Sequence, residues 1–234
     1  MQRSNVLTSR SLPVFRQGKA ARGWLLAALL GVLLFGSTLG IRAASANDEV
    51  ACYMPDPERR IVACTNLLAR PGQSDLAVGS AYASRALAYS QLRDYDRAIA
   101  DYDEAIRRLP NSASALNNRA WAYFKSGRPE SGRGDVELSL KLDPTSGPAL
   151  DTRAHIHQAT GNPSDALADY LAAIEHGGEE MTFLYQCGLG DQGLYSGPRD
   201  GKPNAELRAA LAVCVQDRRC DPLPADEFCR PAAS

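Results

Sequence analysis

Only three histidines occur in 234 residues, and there is no Gly-x-Ser-x-Gly elbow, no Gly-x-x-x-x-Gly-Lys phosphate loop and no His-Glu-x-x-His helix. Hydrolytic triads and zinc-protease sites therefore lack raw material. No catalytic residue and no cofactor is assigned. Cys-x-x-Cys is absent too, which removes the commonest zinc spacing. Charge of one sign is missing overall: 26 Lys+Arg stand against 27 Asp+Glu. That balance argues against a nucleic-acid binder. Two local absences say more. Residues 1-46 contain no acidic side chain, and no cysteine precedes Cys52.

What the first 46 residues do contain is Lys19 and Arg22, then the uncharged run Trp24 to Gly36, then Ala44-Ser45-Ala46. A basic start, an apolar stretch and an A-x-A site predict a secretory signal cleaved after Ala46. The alternative is an uncleaved anchor, because reading the run on to Ile41 gives 18 largely apolar residues. Only that uncleaved segment would attach the chain to a membrane. Both readings export residues 47-234, which carry 20 basic and 27 acidic residues. Cys52 lies too far beyond the apolar run to be a lipid-attachment cysteine.

The middle of the chain repeats itself every 34 residues. Leu109-Pro110-Asn111-Ser112 answers Asp143-Pro144-Thr145-Ser146, and at the same shift Arg85, Arg119 and Arg153 correspond. So do Ala86, Ala120 and Ala154; Tyr89, Tyr123 and His157; and Asp101, Asp135 and Asp169. Apolar positions at helical spacing and turn residues at Arg93-Asp94, Gly127-Arg128-Pro129 and Gly161-Asn162-Pro163 divide each period into two helices. The recurring arginine and aspartate, sixteen residues apart, predict a ladder of bidentate pairs between partner helices, structural in role.

This pattern resembles the tetratricopeptide repeat family, with alanines where helices cross, an aromatic late in the first helix and a closing proline. Three units are implied, 79-112, 113-146 and 147-180, preceded by a half repeat over 47-78 that caps the stack. The first unit matches best, through Tyr89, Ala98, Tyr102, Ala105 and Pro110. In the second, Gly132 and Ser139 replace alanines, and Gly132 with Gly134 is expected to weaken the helix by roughly 1 kcal/mol each. In the third, Gly177-Gly178 stands where proline is usual and predicts a helix end after His176. The fold expected is all-α: a right-handed superhelical stack of helical hairpins followed by a small disulfide-stapled helical segment.

The resemblance implies a concave groove lined by the first helix of each unit and used to bind a protein or peptide. On that analogy the lining residues are Ala83, Leu87, Asn117, Trp121, Lys125, Asp151, His155 and Gln158. Trp121 would anchor a partner, and Asn117 would hold a peptide carbonyl. His155 and His157 form His-x-His, but two residues apart on one helix point to different sides, so no metal site is assigned. His157 takes the aromatic core position instead.

Residues 183-217 resemble a second family, the three-helix peptidoglycan-binding domain. The match rests on Gln186, Leu189 and Gly193, the loop Tyr195-Ser-Gly197-Pro-Arg-Asp200-Gly201, and the helix containing Ala209-Ala210-Leu211. It implies a small module over 181-234 with Tyr195 and Asp200 as glycan-binding residues. Asn204 replaces a loop glycine, Cys214 replaces a core aromatic, and Leu207 stands where threonine caps the last helix. Loss of that cap would cost about 1 kcal/mol.

Export favours disulfides. Cys52 and Cys64 flank the half repeat, and Cys187, Cys214, Cys220 and Cys229 gather near the end. Four cysteines allow three pairings; Cys187 with Cys214 and Cys220 with Cys229 is the arrangement preferred. The sequence as a whole points to an exported, non-enzymatic interaction scaffold of the bacterial cell envelope. The partner is an unidentified protein or peptide, with peptidoglycan as the alternative.

Overall fold

The computed structural model describes residues 47–224. The expected N-terminal signal and Cys229 lie outside the described residues. Residues from Asp48 onward form one compact unit, all-helical among the described residues. After a helical turn at 47–51 the helices are α1 (Pro57–Leu68), α2 (Asp75–Gln91), α3 (Tyr95–Arg108) and α4 (Ala113–Lys125). Next come α5 (Pro129–Leu142), α6 (Gly147–Ala159), α7 (Pro163–Asp191) and α8 (Ala205–Cys214). Consecutive helices pack as hairpins, and the hairpins stack side by side. The expected all-α stack is the architecture of the protein.

Local sequence sets the helix starts. Asp56, Ser74, Asp94 and Ser112 each accept the amide hydrogen three residues on, satisfying a free donor of α1 to α4. Proline opens α1, α5 and α7, where its missing amide hydrogen is harmless. The turns between paired helices repeat at the 34-residue interval. Arg93, Gly127 and Gly161 all have positive φ, and the next residue's amide always bonds the carbonyl five positions back, at Tyr89, Tyr123 and His157. Arg93 holds this left-handed position without glycine's freedom, at about 1 kcal/mol.

The predicted ladder is present. Arg85 donates both Nε and Nη2 to Asp101 at 2.7 and 2.8 Å. Arg119 does the same to Asp135, and Arg153 to Asp169, every contact at 2.7 Å. Alanines 86, 98, 105, 120, 154, 166 and 173 are buried at the crossings beside them.

The helix end predicted after His176 is present: Gly178, at φ 65° and ψ −152°, breaks α7 into two helices, the second running on to Asp191. A Cβ on Gly147 would lie 2.7 Å from Gly177 Cα there, and one on Gly177 2.7 Å from Met181 Cβ. Two expectations need correction. First, the segment expected to form a separate module shares one core with the repeats. Tyr185, Leu189, Leu207 and Leu211 pack in the same cluster as Ala120, Val136, Ile156 and Tyr170. Second, α8 has its cap: Asn204 Oδ1 accepts from Leu207 N at 2.8 Å, so the asparagine in the glycine position supplies what Leu207 cannot.

The disulfides divide in the same way. Cys52–Cys64 forms as expected and ties the turn at 47–55 to α1. Cys214 pairs with Cys220, not with Cys187, because the chain turns straight back after α8 through Asp217 N→Cys214 O and Cys220 N→Asp217 O, with the two Cα atoms 5.4 Å apart. This excludes the Cys220 to Cys229 pairing. Cys187 is itself disulfide-bonded.

The glycines of α5 differ in a way the sequence does not reveal. A Cβ on Gly132 would lie 2.8 Å from the Ala120 carbonyl oxygen and 2.9 Å from its Cα, whereas one on Gly134 would meet nothing. Gly134→Ala should stabilise the protein by about 0.5–1 kcal/mol through helix propensity. Gly132→Ala should destabilise it despite the same propensity gain, as α4 and α5 are forced apart. Urea midpoints of the two variants test this, and equal shifts would refute it.

Candidate functional site

The expected groove residues sit on three helices, α2, α4 and α6, and their surroundings differ. On α4, Trp121 is half-buried and Lys125 exposed, with Lys125 Nζ 5.1 Å from the Trp121 ring centroid. Asn117 is buried; its amide approaches Asn118 Oδ1 at 3.4 Å, and its own Oδ1 has no hydrogen-bond partner among the described residues. Leu87 on α2 remains 38 % exposed. In the first two units Leu87 and Lys125 are exposed and Trp121 partly so, whereas Asn117, expected to hold a peptide carbonyl, is buried.

On α6 the same face is covered. Asp151, His155 and Gln158 are all buried, and the covering element is the chain's own segment after α8. Gln158 Nε2 donates to the carbonyls of Cys214, Asp217 and Cys220 at 3.2, 2.7 and 2.9 Å. His155 Nε2 lies 2.9 Å from Asp221 Oδ1, and Lys125 Nζ lies 3.7 Å from Asp221 Oδ2. Pro222 is fully buried. Expectation placed all these α6 side chains in an open groove; the third unit's part of it is occupied.

His155 is the electrostatic centre of this region. Its Nδ1 faces the Asp151 carbonyl at 2.9 Å and the Asp151 carboxylate at 3.5 Å. With an oxygen acceptor at each ring nitrogen, the imidazolium with two donors satisfies both. Burial opposes that charge, but Asp151 and then Asp221 outweigh it and raise the pKa to about 10. Burial likewise pushes Asp221 upward, and the hydrogen bond from His155 overcomes it, so the carboxyl ends below its ordinary range. Around the ring, Trp121, Phe124 and Tyr170 pack with centroids 5.1–5.2 Å away, and Tyr185 follows Tyr170 at 5.7 Å. Tyr170 donates to Gln158 Oε1 and Tyr185 to Asp151 Oδ1, at 2.8 and 2.6 Å. His157, by contrast, is half-buried with Nε2 3.7 Å from Asp169. Among the described residues no group of three or more His, Cys, Asp or Glu is arranged to hold a metal ion.

The residues of the second resemblance gather round Gln186. Its Nε2 donates to Lys202 O at 3.0 Å and to Asp200 Oδ1 at 3.2 Å, and its Oε1 accepts from Gly201 N at 2.8 Å. Tyr195 is buried; its hydroxyl donates to Pro198 O and accepts from Asn204. Asp200 is exposed, and its carboxyl is held below the ordinary range first by the Lys202 amide and then by Gln186. Both residues are thus tied into their own loop.

Sequence reasoning missed Asp221, Tyr170 and Tyr185 here. Tyr185 was within reach, since it comes after Asn117 and Asp151 at the 34-residue interval. Asp221 carries no periodic signal.

Compared with known families, residues 84–147 match the tetratricopeptide repeat. That segment, the first two units of the stack, is of the tetratricopeptide type, a repeat that supports protein-protein interaction. No curated protein matches the chain.

The His155 charge has a measurable consequence. A raised folded-state pKa means that its stabilising contribution is complete below the ordinary histidine value of about 6.5. It is lost as pH rises toward about 10. Unfolding free energy measured in urea should fall between pH 6.5 and 9.5, His155 contributing at most about 1.4 kcal/mol per pH unit. His155→Gln should flatten this slope; an unchanged slope would refute the assignment.

Proposed function

We propose that the chain is an exported protein-protein interaction scaffold of the bacterial cell envelope. Its partner, a peptide or protein, binds the accessible concave strip over the first two units. The observation that carries this reading is the series Leu87, Trp121, His155 at the 34-residue interval: the first two are accessible and the third is covered. Tryptophan is among the residues that most often anchor a partner at a binding hot spot, which makes Trp121 the centre of this surface. Export is supported by the basic, apolar leader with its Ala44-Ser45-Ala46 site and by disulfides that need an oxidising compartment.

In-cell crosslinking followed by pull-down tests the surface. Trp121→Ala, and independently Leu87→Glu, should reduce recovery of the specific partner about tenfold or more, while Leu142→Ala on α5 leaves it intact. Equal recovery with all three would overturn groove binding.

Peptidoglycan is the alternative partner, carried by the resemblance at 183-217. Because Tyr195 and Asp200 are engaged within their own loop, the mature protein should stay in the supernatant when purified sacculi are sedimented. Pelleting that Asp200→Ala abolishes would favour wall binding instead.

A further inference from the structure

The third unit's part of the groove is filled in a manner that itself resembles ligand recognition. The segment 214–224 leaves α8, turns back on itself and is closed by Cys214–Cys220. Three of its carbonyls converge on the single amide of Gln158, and its one groove-facing carboxylate, Asp221, meets His155 with Lys125 alongside. Pro222 and Leu223 then pass against the backbone of α7 at Gly188, where a Cβ would lie 2.3 Å from the Pro222 oxygen. Gly188 continues the register of Ala86, Ala120 and Ala154. The residues holding the segment occupy positions that face the groove elsewhere: His155 corresponds to Leu87 and Trp121, and Gln158 to Ser90 and Phe124.

The hydrogen bonding of the floor beneath the segment is complete without it, while Cys214 and Val215 at its start stay in the core. Tyr170 satisfies Gln158 Oε1, Tyr185 satisfies Asp151, and His155 Nδ1 bonds the Asp151 carbonyl, all within α6 and α7. Departure of the segment would leave two donors, Gln158 Nε2 and His155 Nε2, facing outward. Water or another peptide's carbonyl and carboxylate oxygens can take both.

We propose, building on the concave face as the partner surface, that segment 214–224 is a releasable strap. It is an intramolecular occupant that competes with partner peptides for the third unit's floor, so the groove lengthens from two units to three when it leaves. A disulfide-closed loop is already shaped for the site, which favours rapid return in cis. Protons bias the equilibrium. The groups facing His155 are Asp151 from its own helix, Asp221 from the strap, and the Tyr170 and Tyr185 phenols from α7; Lys125 from α4 faces Asp221. Burial keeps both phenols neutral well above their ordinary range. Closing therefore favours the protonated imidazole, and the closing equilibrium constant falls as pH rises from 7, by at most about tenfold per unit.

The test uses the full chain and two readouts, amide hydrogen exchange of residues 216–223 and binding of a synthetic peptide of sequence 214–224 cyclised through its two cysteines. In Asp221→Asn, strap amides should exchange about tenfold faster or more, with α2 to α6 amides unchanged. That variant should bind the peptide where the wild type does not. Wild-type strap exchange, corrected for intrinsic chemistry, should accelerate from pH 7 to 9, and Asp221→Asn should lose most of that dependence. If Asp221→Asn does not fold, Gly188→Ala displaces the strap by adding a Cβ under Pro222 while leaving every charge in place. Strap amides that open only together with the α7 core, in wild type and variants alike, would overturn the proposal. Neither readout involves the unidentified partner, so a failed pull-down leaves the strap result standing, and a locked strap leaves the open-strip reading standing.

Discussion

The stack depends on one contact made three times, the fork between an arginine on the first helix of a unit and an aspartate on the second. The crossings themselves are lined by alanine, whose small, featureless surface permits close approach but specifies little about relative rotation or sliding. A planar guanidinium bonded through two nitrogens to both carboxylate oxygens supplies the missing orientation. The arginines also reach sideways: Arg119 bonds Asp103 of the preceding hairpin at 2.7 Å, and Arg85 bonds Thr65 on α1 at 2.9 Å. Their carboxylate partners raise the pKa of all three arginines, so the guanidinium side of each fork stays charged. Removing one member would strand a partly buried charge at a cost of a few kcal/mol.

That device was legible in the sequence because it is periodic. Arg85, Arg119 and Arg153 and their aspartates can be seen as pairs only by sliding the chain along itself by 34 residues, and the same operation found the alanine crossings and the turns at Arg93, Gly127 and Gly161. The Cys52–Cys64 pair was legible for a different reason, its isolation from the other four cysteines. What could not be read was anything held by a contact without a period. Asp221 meets His155 across 66 residues, Cys220 returns to Cys214 through a turn with no marked composition, and Gly132 looks like a helix defect until the Ala120 backbone is seen beside it.

The segment after Gly178 shows how a loop of different pattern is built into the core of the repeat stack. The Gln186, Tyr195 and Gly201 loop keeps the internal bonding that its sequence pattern suggests, yet its apolar residues contribute to the same core as the repeats. Glu206, at the start of α8, holds the loop through the amide and hydroxyl of Ser196. Asn204 links the two features, capping α8 with one side-chain atom and bonding Tyr195 with another. This segment closes the stack, covering the apolar surface that the third unit would otherwise leave to solvent.

A repeat array is ordinarily a one-dimensional chain of neighbours, in which any end unit can melt while the rest stands. The closing segment alters that at one end. Because Tyr185, Leu189, Leu207 and Leu211 beyond the Gly178 break share one core with Ile156 and Tyr170 of the third unit, the two melt as one cooperative block. The array therefore has polarity: unravelling starts from the α1 side, and the accessible strip on α2 and α4 lies nearer to that loosening end than to the fixed one.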